Sequence, residues 1–140
     1  MRSIDLKLLS GHKMISAQVK NISTWEGDHL ERHVPQDPQK FCILVRAIVG
    51  PRRGEGEESF DINICTPQWL EEKVEREGFA FGTHRLFVRA YDPAQIKELI
   101  TKFIERYSGE SWREVAEKIG RIALWEFEDY KPASTDPGGH

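Results

Sequence analysis

Several groups of residues in this chain have types and spacings suited to chemistry. His29 and His33, in the run HLERH, stand four apart, the spacing that puts two imidazoles on one helix face for a divalent metal. The run is not the metalloprotease pattern, which needs glutamate directly after the first histidine, and no third ligand is evident. Pro35 also argues against a long helix there. Both histidines are therefore expected at the surface, with no metal and no cofactor. Glu55, Glu57 and Glu58 have the types needed for the paired carboxylates of a hydrolase, but acidic clusters in glycine-rich turns are usually solvated. A small metal- or carboxylate-dependent hydrolase built on these residues is the rival reading of function.

Other catalytic patterns fail on their neighbours. Ser10, Ser59, Cys42 and Cys65 sit in no glycine-flanked nucleophile elbow or cysteine signature. The glycine-rich segment 50–56 lacks the Lys-Ser/Thr ending of a phosphate loop and joins two strands instead of opening a helix. Gly78-Phe79-Ala80-Phe81 echoes the aromatic core of an RNA-recognition strand, but Glu77 and Gly82 stand where that motif needs a basic and an aliphatic residue. A formal net charge of −3, with 31% charged residues, argues against a binder driven by phosphate neutralisation. No nucleic acid is expected as partner. The absence of a signal peptide and of a long apolar run predicts a cytoplasmic protein with no membrane association.

The elements that position these residues are legible from pattern. Segment 41–49 (FCILVRAIV) is the most apolar stretch and belongs at the sheet centre; Phe60, Ile62 and Ile64 alternate with polar residues over 59–65, a strand with one buried face. If both apolar stripes point the same way, antiparallel partners must have residue numbers of odd sum. The register that sets Val45 opposite Ile62 meets this and sets Arg46 opposite Asp61, a favourable opposite-charge pair. It also sets Cys42 opposite Cys65, read as two reduced cysteines that pack. Thr66 followed by Pro67 is a strong helix start, with Gly78 closing the helix. Asp92 and Pro93 open a second helix striped by Ile96, Leu99, Ile100, Phe103, Ile104 and Tyr107, expected to end at Gly109. Ser111 and Glu114 form a capping box for a third, whose stripe includes Trp112, Val115, Ile119, Ile122 and Ala123.

Further strands are expected within 13–22 and 84–91, with a long loop over 23–40 that holds a short helix near 28–33. The fold class is α+β: a mostly antiparallel sheet of three to four strands with helices packed on one face, a single domain over 1–129, and a disordered tail over 130–140. The other sheet face would show Leu44, Arg46, Ile48, Asp61 and Asn63, with Arg85, Phe87, Arg89 and Tyr91 if the later strand joins with Leu86 and Val88 inward. Such a mixture of aromatic, arginine and aliphatic groups suits a protein-binding patch. Trp25, in a polar loop, is either a lid or a contact anchor.

The run from Phe41 through Leu70 carries a resemblance. Gly50 after the apolar strand, then Gly56-Glu57-Glu58-Ser59-Phe60-Asp61, then Cys65-Thr66-Pro67 and Trp69-Leu70, resembles the immunity protein 8 family of bacterial polymorphic toxin systems. The resemblance implies a small cytoplasmic, non-enzymatic protein that binds a cognate secreted toxin domain and protects the producing cell. On that footing Arg46, Asp61, Asn63 and Phe87 are expected to form the toxin-binding patch, and Glu55, Glu57 and Glu58 to steer the encounter.

Overall fold

A computed structural model describes residues 14–126; the expected boundary at 129 and the tail over 130–140 lie outside the described residues. The elements in chain order are β1 (Ile15–Thr24), a 3-10 turn (Leu30–Arg32), β2 (Cys42–Pro51), β3 (Glu58–Cys65), α1 (Pro67–Glu77), β4 (Arg85–Phe87), α2 (Pro93–Glu105), β5 (Ser108–Gly109), α3 (Trp112–Ile119) and β6 (Leu124–Trp125). The sheet runs β4-β3-β2-β1-β5, and β6 pairs with β3 beside β4.

The central hairpin forms because two period-two stripes share a face. Val45 pairs with Ile62, Ile43 with Ile64, Arg46 with Asp61 and Cys42 with Cys65, the register expected from the apolar pattern. Val45, Ala47, Val49, Phe60, Ile62 and Ile64 are buried against Ile96, Ile100 and Ile104 of α2 and Val115 and Ile119 of α3. Burying each such aliphatic side chain contributes about 1.5–3 kcal/mol before entropy is counted.

β1 joins this core only because it contains a bulge. Val19 pairs with Val49 but Ile22 pairs with Ala47, so the register shifts between Val19 and Asn21. The shift converts an odd-numbered apolar stripe (Ile15, Ala17, Val19) into an even-numbered one (Ile22, Thr24) without turning either half outward. Beside the interrupted ladder the Val19 amide donates to Glu105 Oε2 at 2.9 Å, so α2 supplies the partner the strand lacks.

The sheet departs from the expected one in three ways. It has six strands, two of them dipeptides too short for any periodicity to announce, and it is mixed. β4 runs parallel to β3 (Asn63 beside Arg85, Cys65 beside Phe87), as a crossover through α1 requires. Finally, α1 buries no residue, so it is not one of the helices forming the core. Its caps are as expected: Thr66 Oγ1 accepts from the Trp69 amide at 3.4 Å, and Gly78 closes it in the left-handed region at φ 88°. Thr66 Oγ1 also accepts from the Phe41 amide at 3.2 Å, which ties the start of β2 to the start of the helix.

The later elements stop early. β4 covers only Arg85–Phe87 of the expected 84–91 strand, and Tyr91 turns away from the outer face. Its hydroxyl donates to the Leu30 carbonyl at 2.7 Å, and its ring packs edge-on against Phe41 with centroids 5.3 Å apart. α2 ends at Glu105, which frees Ser108–Gly109 to pair with β1 as β5. α3 is opened by Ser111, whose Oγ accepts from the Glu114 amide at 3.1 Å. It ends at Ile119, so Ile122 lies in a turn and Ala123 leads into β6.

Candidate binding face

Alternation sends Leu44, Arg46, Asp61 and Asn63 to the sheet face opposite the α2 and α3 core. β4 adds Arg85 and Phe87 to the same face, and β6 adds Leu124 beside Asp61. Arg46 binds Asp61 through two hydrogen bonds, Nε to Oδ1 at 2.8 Å and Nη2 to Oδ2 at 3.0 Å. The bond to Asp61 holds the arginine pKa above its ordinary value. The same guanidinium lies 5.5 Å from the centre of the Trp25 ring, whose residue is 51% exposed. The Trp25 amide donates to the Leu44 carbonyl at 2.9 Å, placing the indole at the edge of this face.

Of the eight large apolar residues left exposed among those described, Trp25, Leu44, Phe87 and Leu124 fall on this one face. Trp25 lies against an arginine already oriented by its carboxylate and Leu124 stands beside that carboxylate's residue, while Phe87 lies farther along the face, beside Cys65. Aromatic and arginine groups with aliphatic neighbours are the composition of a protein-contact centre. Asn63 Oδ1 lies 3.7 Å from the Cys42 sulfur, which donates to it.

The acidic group is split. Glu55 and Glu57 are exposed in the hairpin turn, at the end of β3 opposite Cys65 and Phe87. Glu58 points to the core side. Its carboxylate accepts the Trp112 indole N–H at 2.5 Å and also a short hydrogen bond from the Trp125 indole, which binds α3 and β6 to β3. Sequence reasoning missed this because the two partners lie 54 and 67 residues away. Replacing Glu58 with glutamine turns one acceptor into a donor facing an indole N–H. That is expected to cost about 1.5–3 kcal/mol, read as a lower urea midpoint. An unchanged midpoint would remove the carboxylate's bridging role.

The histidine pair is also resolved. His29 is exposed at the start of the 3-10 turn, while His33 packs its ring against Tyr91 with centroids 5.5 Å apart. Among the described residues no group of three or more His, Cys, Asp or Glu side chains is arranged to hold a metal ion. Nor, among them, is any helix long and apolar enough to cross a membrane.

A mixed sheet with its helical core on one side and an aromatic, arginine-centred surface on the other defines a small α+β protein with a candidate protein-binding face. The chain belongs to the Immunity protein 8 family, whose family model matches residues 17–130. Comparison with curated proteins and with solved structures found no match.

Proposed function

We propose that this chain is the non-catalytic immunity protein of a bacterial polymorphic toxin system. It binds a cognate secreted toxin domain in the cytoplasm of the producing cell and so neutralises it. Family membership supports the class, and one observation supports the surface: four exposed large apolar residues, Trp25, Leu44, Phe87 and Leu124, share the sheet face that carries the Arg46–Asp61 pair. Arg46, Asp61, Asn63 and Phe87 are the proposed contact residues, and Trp25 joins them as an aromatic anchor. Pre-paired charges suit such a contact, because Arg46 is held in place before the partner arrives.

Glu55 and Glu57 are proposed to act at a distance, raising the encounter rate with a basic toxin surface without sitting in the contact centre. The Glu58 carboxylate is engaged by two indoles and is left out of this role. The double charge reversal Glu55→Lys with Glu57→Lys is expected to lower the association rate about tenfold at low salt and to leave dissociation nearly unchanged. Equal association rates for the variant and the parent chain would sink the steering role. Co-expression with the toxin domain tests the function itself: growth is restored by the intact chain if the reading holds, and is not if it fails.

A further inference from the structure

Cys42 and Cys65 stand directly opposite each other on β2 and β3, with the Cys65 thiol donating to the Cys42 sulfur at 3.0 Å. Directly opposed residues of an antiparallel pair have Cα atoms about 4.5–5.5 Å apart, within the span that a disulfide bridges without backbone movement. The two thiols differ in access. Cys65 is fully buried, whereas Cys42 is half-buried and helps line an open cleft of about 330 Å³ with Thr24, Trp25, Glu26, His33 and Leu44.

Next to them lies an arginine with unfilled donors. Arg85 pairs with Asn63 in the sheet and stacks its guanidinium 5.4 Å from the Trp69 ring centre, yet its Nε and Nη1 are buried with no hydrogen-bond partner. Open guanidinium donors beside thiols favour a thiolate. The charged groups around the pair act unequally. The hydrogen bond from Cys65, followed by the charges of Arg85 and Lys73, brings the Cys42 thiol below its ordinary pKa despite burial. Cys65 is pushed up, first by the hydrogen bond it gives to Cys42, then by burial and by the Cys42 charge. Arg85 draws the Cys65 pKa down as well, without offsetting the rise, so Cys42, the thiol that reaches the cleft, is the more readily ionised of the two.

We propose that Cys42 and Cys65 form a redox-active dithiol that reacts with small disulfides of the glutathione class and closes to an intramolecular disulfide. Cys42 is the attacking sulfur and Cys65 the resolving one. The Cys42 thiolate attacks one sulfur of the small disulfide, forming a mixed disulfide and releasing one small thiolate, which takes up a proton. Capping Cys42 removes the negative charge that held the proton on Cys65. Cys65 then loses that proton and attacks the Cys42 sulfur, releasing the second small thiol. Two electrons pass from the protein to the small disulfide, which leaves as two thiols. Arg85 acts as a positioning residue by stabilising the thiolates in both steps. This chemistry is independent of the toxin-binding reading and stands or falls without it.

Intact-mass analysis after incubation with oxidised glutathione tests it. The parent chain is expected to become about 2 Da lighter without a lasting adduct, and dithiothreitol is expected to restore it. Cys65→Ser is expected to stop as a stable glutathione adduct on Cys42, and Cys42→Ser to stay largely unmodified. Arg85→Met should slow adduct formation about threefold for each unit by which the Cys42 pKa rises, since a tenfold loss of thiolate is partly offset by greater nucleophilicity. Its rate profile should move to higher pH, while Arg85→Lys stays near the parent profile. A parent chain that accumulates the glutathione adduct with no lighter species, or that stays unmodified, would overturn the proposal. So would faster reaction at Cys65 than at Cys42.

Discussion

Alanine at both Trp25 and Phe87 is expected to weaken the toxin complex by at least about 100-fold, roughly 2.7 kcal/mol, with the fold intact. Trp25 is 51% and Phe87 39% exposed, and neither belongs to the buried core, so their removal should leave the chain folded at a cost of about 1–3 kcal/mol in unfolding free energy. The loss in binding should be large because rigid aromatic side chains bury area at low entropic cost, and Trp25 also forms one wall for the Arg46 guanidinium at 5.5 Å. The measurement is a dissociation constant for parent and variant against the same toxin domain, with melting curves alongside. Equal affinities with the variant still folded would move the contact surface off this sheet face.

Gly50→Ala should produce the largest loss of stability at a single site. A Cβ at this position would sit 2.1 Å from the carbonyl oxygen of Gly56, and the obstacle is backbone, not the end of a flexible side chain. Relief requires the arm of the hairpin turn to move away from β2, and with it the pairing of Gly50 and Pro51 to β1. Overpacking of this kind costs about 3 kcal/mol, near the upper end of its usual range. For a chain of this size that lowers the melting temperature by about 10–15 °C. A shift below about 3 °C would mean that the turn can give way freely. The requirement gives a physical reason for the glycine after the apolar strand. Its role is close approach between two backbone segments, not a special backbone angle.

Much of the fold is legible wherever neighbours in the chain are also neighbours in space. The β2–β3 register follows from two apolar stripes and one charge pair, because a slip of a single residue would set the inward stripe of one strand (Ile43, Val45, Val49) against the outward residues of the other. The starts of α1, α2 and α3 follow from Thr66, Asp92 and Ser111, whose side chains each accept a backbone amide of the first turn. What escaped notice was set by distant partners. The β1 bulge leaves Lys20 without a partner on β2, and the acceptor for the neighbouring Val19 amide, Glu105, lies on another element. β5 and β6 are dipeptides held by β1 and β3, and β4 runs parallel only because the α1 crossover returns it that way.

The candidate site divides along the same line. Arg46, Asp61 and Asn63 are placed by alternation along two strands whose register the pattern determines, and Phe87 follows once β4 is paired in register with Cys65. Trp25 and Leu124 depend on the turn after β1 and on a two-residue strand, neither of which has a periodic signature. Glu58 shows the limit most clearly. In the chain it is one of three acidic residues in a turn, and in the fold it is the shared acceptor of two indoles.

The most direct test is calorimetric titration of this chain with a purified candidate toxin domain, sought in the genes beside its own. The result should be a saturable one-to-one complex, with toxin activity abolished at equimolar chain and affinity lost in the Trp25→Ala, Phe87→Ala variant. No binding heat, with a toxin still fully active in excess of this chain, would contradict the account.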